Sequence, residues 1–325
     1  MTTAVFDAIN ELQRHLNQRV LGQHALVNRL LIALLADGHL LVEGAPGLAK
    51  TTAIKALAEG IEADFHRVQF TPDLLPSDLT GTDIYRPQDG TFHFQQGPLF
   101  HNIVLADEIN RAPAKVQSAL LEAMAERQIT VGRKTYPLPS LFLVMATQNP
   151  IEHEGTYSLP EAQLDRFLLY VRIGYPSATA EKEILQLVRA EARRASDAAI
   201  PTLSKKISQV HIQQARQQIL DLYLAPVLEE YIVQLIVASR DPKPYDEPLA
   251  QWIRYGASPR ATIALDRCAR AHAWLAGRDF VSPEDIQAVA PEVLRHRILL
   301  TYEAEAEGMS ADHVVQELLK KVPVP

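Results

Sequence analysis

HLLVEGAPGLAKTTAIKALA, residues 39–58, reads as strand, turn and helix in succession. HLLVE (His39–Glu43) is a short apolar run of the kind that forms a buried strand. Ala53–Ala58 continues with helical periodicity. Between them lies GAPGLAKT, Gly44–Thr51. A turn that leads from a strand into a helix N-terminus points backbone N–H groups at an anion, and the helix dipole adds to the attraction. Gly44, Ala45, Pro46, Gly47, Leu48 and Ala49 form the candidate phosphate cradle. Lys50 would reach the β- and γ-phosphates and Thr51 would hold Mg²⁺, with Thr52 beside it. The strict pattern has glycine before the lysine, and here it is Ala49. A methyl at that position predicts a negative φ. The competing reading is a strand–helix turn with a chance lysine.

Further strands follow in the first half of the chain. Phe65–Phe70 (FHRVQF), Ile103–Ala106 (IVLA), Leu141–Ala146 (LFLVMA) and Phe167–Ile173 (FLLYVRI) are apolar runs of strand length. Near-continuous apolar strands alternating with helical patterns predict a parallel sheet covered on both faces. A helix is expected over Ala25–Ala36, ended by Gly38. Two segments interrupt the alternation. One is Leu79–Phe100, rich in Gly, Pro and Asp, with an alternating run at Thr91–Phe94; the other is QITVGRKTYPL, a hairpin around Gly132. After Pro176 the periodicity is mostly helical, with breaks near Ala195–Ser204 and at Arg240–Leu249. Ser258-Pro259 and Ser282-Pro283 are helix starts, and Asp285 completes a capping box behind Ser282. A domain boundary is therefore expected near residue 176, giving a nucleotide-binding core over 1–176 and a helical domain over 177–325.

The third strand ends in two acids, Asp107 and Glu108, about 60 residues after the loop. Alternation along a strand would send the two carboxylates to different tasks. Asp107 would accept hydrogen bonds from the Mg²⁺ shell, and Glu108 would polarise an attacking water. Solvated acids at a strand end are the alternative. Asn149 follows the fourth strand in LVMATQNP, where an amide can orient water against a γ-phosphate; a turn residue before Pro150 is its plainer role. Arg166 lies in PEAQLDRF, and Arg260 lies in the first turn of the helix opened by SPRAT. A cation there opposes the helix dipole, so Arg260 calls for an anionic partner. A surface salt bridge is the competing reading for both arginines.

Composition narrows the classes. Among the 325 residues, 39 are acidic and 32 basic, a net charge of −7, which argues against a generic nucleic-acid coat. One cysteine, Cys268, excludes a disulfide framework and a cysteine zinc cluster. The amphipathic start MTTAVFDAINELQRHL has no signal-peptide core, and no uninterrupted apolar stretch reaches the roughly 18 residues of a membrane span. A cytoplasmic α/β protein with no membrane segment is expected.

The chain resembles the MoxR family of AAA+ ATPases nearly from end to end. VLGQ (Val20, Leu21, Gly22, Gln23) is similar to the family's adenine-side motif. GAPGLAKT resembles its Walker A, in which Ala before Lys is usual. FTPDLLPSDLTG (70–81), GPLFHNIVLADEINRAPAKVQSALLEAMAERQITV (97–131), ATQNP, EGTYSLPEAQLDRF (154–167), SPRA, LRHRI (294–298) and the closing VPVP extend the match. The resemblance implies an ASCE-type αβα core with a helix-2 insert at 79–100, a pre-sensor-1 hairpin at 128–138 and an all-α lid. It implies a homo-oligomeric ring, expected to be a hexamer, that hydrolyses ATP to ADP and phosphate with Mg²⁺ as cofactor. Lys50, Thr51, Asp107, Glu108 and Asn149 would act in cis. Arg166 would be the arginine finger in trans, ahead of Arg111, Arg127 and Arg133, and Arg260 would be sensor 2. The family's theme is a chaperone that remodels or activates separate partners, often with von Willebrand factor A (VWA) domains, with metal-cofactor insertion recurring.

A chelatase-type ATPase subunit and a nucleotide-assembled, non-hydrolysing scaffold are the alternatives. A nucleic-acid motor is disfavoured by the acidic balance, and no GAFTGA loop of a σ54 activator is present. His153-Glu154 lacks the second histidine of a zinc motif. His296, Cys268, Trp252 and Trp274 read as packing residues.

Overall fold

The apolar run that opens the phosphate-loop motif forms strand β1, Leu40–Glu43. The computed structural model describes residues 3–88, 90–150, 155–194 and 205–324. In chain order the other strands of the first half are β2 (Phe65–Gln69), β3 (Gly81–Arg86), β4 (Thr91–Gln96), β5 (Ile103–Asp107), β6 (Gln128–Val131), β7 (Lys134–Pro137), β8 (Leu143–Gln148) and β9 (Leu169–Arg172). Five of them make the central sheet in the order β2-β5-β8-β1-β9, and the pairings β2/β5, β5/β8 and β1/β8 are parallel. Leu40–Val42, Ile103–Ala106 and Leu143–Ala146 are all buried, as expected of a sheet covered on both faces.

The order has a direct consequence for the site. β8 lies between β1 and β5, so the ends of the three strands carrying the loop, Asn149 and the acidic pair are adjacent. The two interruptions are antiparallel hairpins, β3/β4 and β6/β7. Phe94 of the first stacks on Tyr136 of the second, with ring centroids 4.2 Å apart and planes 16° from parallel.

The helices of the first half include α1 (Thr3–Arg19), α2 (His24–Leu35), α3 (Lys50–Gly60), α4 (Pro76–Thr80) and α5 (Ala114–Glu126). α2 ends differently from the expectation. Asp37, not Gly38, adopts the left-handed conformation (φ 55°), and the Gly38 N–H bonds the Ala33 carbonyl at 2.9 Å. That is a Schellman closure with an aspartate in the glycine position. Among the second-half helices are α6 (Glu161–Leu164), α7 (Ala178–Arg194), α8 (Gln209–Leu220), α9 (Pro226–Arg240), α10 (Glu247–Trp252), α11 (Pro259–Leu275) and α12 (Pro283–Leu294). The break expected at 240–249 separates α9 from α10; that at 195–204 lies outside the described residues.

The chain forms two compact units. One comprises residues 7–159 and 171–212; the other comprises 1–6, 160–170 and 213–325. In the second unit Ser258 caps α11, accepting from the Arg260 N–H at 3.2 Å. Ser282 and Asp285 form the capping box of α12, with the Ser282 N–H on the Asp285 carboxylate at 2.8 Å. Trp274 and Cys268 are fully buried in this unit, and Phe6 meets the Trp274 ring edge-on at 5.2 Å. No helix among the described residues is long and apolar enough to cross a membrane.

Candidate active site

The turn from β1 into α3 is shaped by close backbone approach. A Cβ on Gly44 would stand 2.4 Å from Cγ1 of Ile173, so only glycine fits there. Gly47 has φ +84°. Ala49, immediately before the lysine, has φ 58° and ψ 20°. The expectation of a negative φ at Ala49 is overturned, because the left-handed well is open to alanine at a cost of about 1–2 kcal/mol. The loop bears this strain where it turns into the helix. Ala49→Gly should relieve it and raise stability by about 0.5–1 kcal/mol, the remainder being lost to the greater freedom of glycine in the unfolded chain. Chemical denaturation of the two proteins checks this, and a less stable glycine variant would refute the strain.

Lys50 opens α3, and its ammonium donates to the Gly44 carbonyl across the loop. Burial lowers its pKa below the ordinary lysine value, and the carboxylates of Asp107 and Glu108 oppose that shift. A half-buried cation that donates across the loop to one backbone carbonyl, with two acids in its field, is placed to meet a polyphosphate. Thr51 and Thr52 follow in the first helical turn.

β5 ends at Asp107. Glu108 is not the next residue of the strand: it has φ 57° and ψ 51° and begins a short 3-10 turn over Ile109–Arg111. The two acids therefore diverge through a left-handed residue rather than through strand alternation. Asp107 is buried. One of its oxygens accepts from Thr147 Oγ1 at 2.6 Å, and the other accepts from Arg67 Nε and Nη2 at 3.1 and 2.7 Å. Glu108 Oε2 accepts from Gln69 Nε2 at 2.7 Å and from Arg111 Nη1 at 3.2 Å. The Glu108 N–H donates to Thr147 Oγ1 at 2.9 Å, so one threonine hydroxyl links the two acids.

Arg67, Gln69 and Thr147 were not singled out from the sequence. Their signal was nonetheless present: Arg67 and Gln69 are two apart on the strand beside β5, hence on one face, and Thr147 precedes Asn149 in ATQNP. Asn149 is buried just past the end of β8.

The Val20–Gln23 segment lies in the same unit. Val20 is buried, and Gly22 has φ +76° with its Cβ position 3.0 Å from the Ala180 Cβ. Gln23 Nε2 donates to the Gly174 carbonyl at 3.1 Å. Beside the loop is a cleft of about 340 Å³ whose lining includes Gly44, Ala45, Leu48, Ile173, Gly174 and Tyr175. The loop and cleft suit a nucleotide, and the Thr51 hydroxyl and the Asp107 carboxylate are oxygen donors of the hard type that Mg²⁺ takes.

The other arginines belong to the second unit. Asp165 precedes Arg166 and follows the short helix α6. Asp165 Oδ1 accepts from Arg297 Nε at 2.8 Å, and Oδ2 from Ser258 Oγ at 2.9 Å and Arg260 Nη1 at 3.4 Å. The anionic group facing Arg260 is thus Asp165. Arg297 is almost fully buried and also donates to the carbonyls of Asp165, Phe167, Leu168 and Val293. Burial pulls its pKa below the ordinary arginine value, and Asp165 pushes it back up. His296 is buried against the Phe167 carbonyl at 3.1 Å, and burial depresses its pKa strongly, which suits a neutral packing residue. Of the competing arginines, Arg111 pairs with Glu108, Arg127 pairs with Asp37 at 2.7 Å, and Arg133 is exposed in the β6/β7 turn. His153 and Glu154 lie outside the described residues.

These features define a nucleotide-binding α/β unit paired with an α-helical unit. The model for the ATPase family associated with various cellular activities (AAA) matches residues 39–169, and the AAA lid domain model matches 250–318. The chain belongs to the MoxR family of AAA+ ATPases. Chaperone MoxR1 of Mycobacterium tuberculosis is 45% identical over 94% of this chain and 79% of its own length. Protein MoxR of Methylorubrum extorquens is 33% identical over 100% of this chain and 97% of its own. A crystal structure from Cytophaga hutchinsonii superposes with a TM-score of 0.90 at 47% identity, covering 99% of this chain and 96% of that one. The magnesium-chelatase subunit ChlI of Chlorella vulgaris is more remote, 27% identical over 82% of this chain and 63% of its own.

Proposed function

We propose that this chain is a ring-forming chaperone ATPase that converts ATP and water to ADP and phosphate at the junctions between subunits. The observation that carries the reading is the meeting, in one unit, of the Lys50 loop with an Asp107–Glu108 pair bridged by Thr147. Val20, Leu21 and Gly22 flank the base, and Gly44–Thr52 wrap the phosphates. Lys50 offsets their charge. Glu108, held by Gln69 and Arg111, is oriented to polarise the attacking water, and Asn149 helps to align it. Mg²⁺ bound near Thr51 and Asp107 would neutralise further phosphate charge. Arg166 reaches the neighbouring subunit's phosphates as the finger. Arg260 exchanges Asp165 for phosphate and transmits nucleotide state through the helical unit.

The functional division is a core to about residue 176 and a lid beyond it. The ring is a hexamer in the cytoplasm, and its client is a separate protein, with a VWA-domain protein in metal-cofactor insertion as the leading class. The name of one relative, Chaperone MoxR1, supports the chaperone role.

The test is Glu108→Gln. It should bind ATP as the wild type does and trap it without turnover, because the amide keeps the shape but loses the base. Hydrolysis by this variant at the wild-type rate would show that Glu108 is not the polarising group.

A further inference from the structure

Gln117 is fully buried in the first turn of α5 and takes no part in the chemistry described so far. Its amide nitrogen donates both ways. One bond runs to the Ile109 carbonyl at 3.2 Å, and the other to the Tyr157 carbonyl at 3.1 Å. Ile109 is the residue after Glu108. Tyr157 belongs to the segment that continues along the chain to Arg166. A third bond ties the same two segments, from the Tyr157 N–H to the Asn110 carbonyl at 2.6 Å. The Gln117 oxygen, by contrast, is buried with no partner among the described residues. A buried, unsatisfied amide oxygen costs about 1–3 kcal/mol, so a plain core position would be better filled by an apolar side chain. What an amide offers here, and an apolar residue cannot, is two donors on one nitrogen.

We propose that Gln117 is a positioning residue that couples the glutamate turn to the segment leading into Arg166. The inference rests on the ATPase reading given above. Gln117 touches no substrate. It ties the backbone that follows Glu108 to the backbone at Tyr157, from which the chain runs on to Arg166. Occupancy sensed at Glu108 would then be relayed to Arg166 by a side-chain clamp rather than by backbone alone. Neither end of the clamp is a side chain that substitution elsewhere could replace, because both acceptors are main-chain carbonyls.

The experiment uses the full-length ring protein with Gln117→Met, which keeps the volume and removes the donors. A fluorescent ATP analogue reports binding, and steady-state turnover gives kcat and KM. Nucleotide affinity and KM should stay within about twofold of wild type while kcat falls about tenfold or more, since a small misplacement of reacting groups costs rate rather than binding. Combined with Arg166→Ala, the methionine should produce little further loss, because the two residues act in one unit of coupling. Hydrogen exchange at the Tyr157 amide should accelerate in the same variant. Wild-type kcat in Gln117→Met, or effects that multiply in full with Arg166→Ala, would overturn the coupling. If methionine prevents folding, Gln117→Glu supplies the same measurements, with the shape retained and both N–H donors removed. Absence of ATP turnover in the wild type itself would instead reject the ATPase reading, and the inference with it.

Discussion

Arg166→Ala should lower kcat by about 10³-fold or more while leaving ATP affinity near the wild-type value, the loss typical of removing an arginine that meets transition-state charge. The structure supplies two reasons to choose this arginine. Its neighbours are immobilised: Arg297 binds Asp165 by an ion pair and by its carbonyl, and continues to the carbonyls of Phe167 and Leu168. Of the rivals, Arg111 is tied to Glu108 of its own site, and Arg127 pairs with Asp37, which precedes β1 at the end of that strand away from the loop. A finger gains rate only if its backbone is fixed before nucleotide arrives. The measurement is ATP hydrolysis across a protein concentration series. Wild-type specific activity should rise with concentration as sites are completed between subunits. The variant should stay flat, and mixing it with Lys50→Ala subunits should restore turnover, since each supplies what the other lacks. Concentration-independent activity that survives Arg166→Ala would mean that the site is complete in one chain.

The elements legible in the sequence are those fixed by local pattern. Apolar runs of strand length located the five sheet strands to within two residues at each end, and Ser-Pro pairs located the starts of α11 and α12. The loop and the acidic pair were legible because their chemistry is carried by adjacent residues. What escaped depends on register or on distant partners. Gln69 reaches Glu108 only because β2 pairs with β5 in the register that sets it opposite Asp107. Thr147 joins the two acids only because β8 lies beside β5. The backbone of Ala49 and Glu108 was misread for a different reason. Residue type biases φ toward negative values, and here the tertiary environment holds alanine and glutamate in the left-handed well. Such positions cluster at sites where the chain must turn a functional group inward, and both flank the predicted chemistry.

Arg297 makes the case in energetic terms. In LRHRI it reads as one of two basic residues near a helix end, yet it is the hub of the second unit. Its guanidinium pairs with Asp165 at 2.8 Å and donates to carbonyls on both the 165–168 segment and α12. An arginine this buried is tolerated only while its donors are satisfied, and the carbonyls depend on it equally. Arg297→Ala should therefore cost about 3–5 kcal/mol, the penalty for breaking a buried ion pair from one side. Arg297→Lys keeps the charge but not the planar fork, so it should recover only part of that loss. Denaturant unfolding followed by tryptophan fluorescence reads the effect where it occurs, because Trp252 and Trp274 both belong to this unit. The same variant should also lose ATP turnover at temperatures where it remains folded, since the backbone on either side of Arg166 is no longer pinned. A loss of stability below about 1 kcal/mol would place Arg297 among ordinary surface pairs and remove the reason for expecting Arg166 to be preorganised.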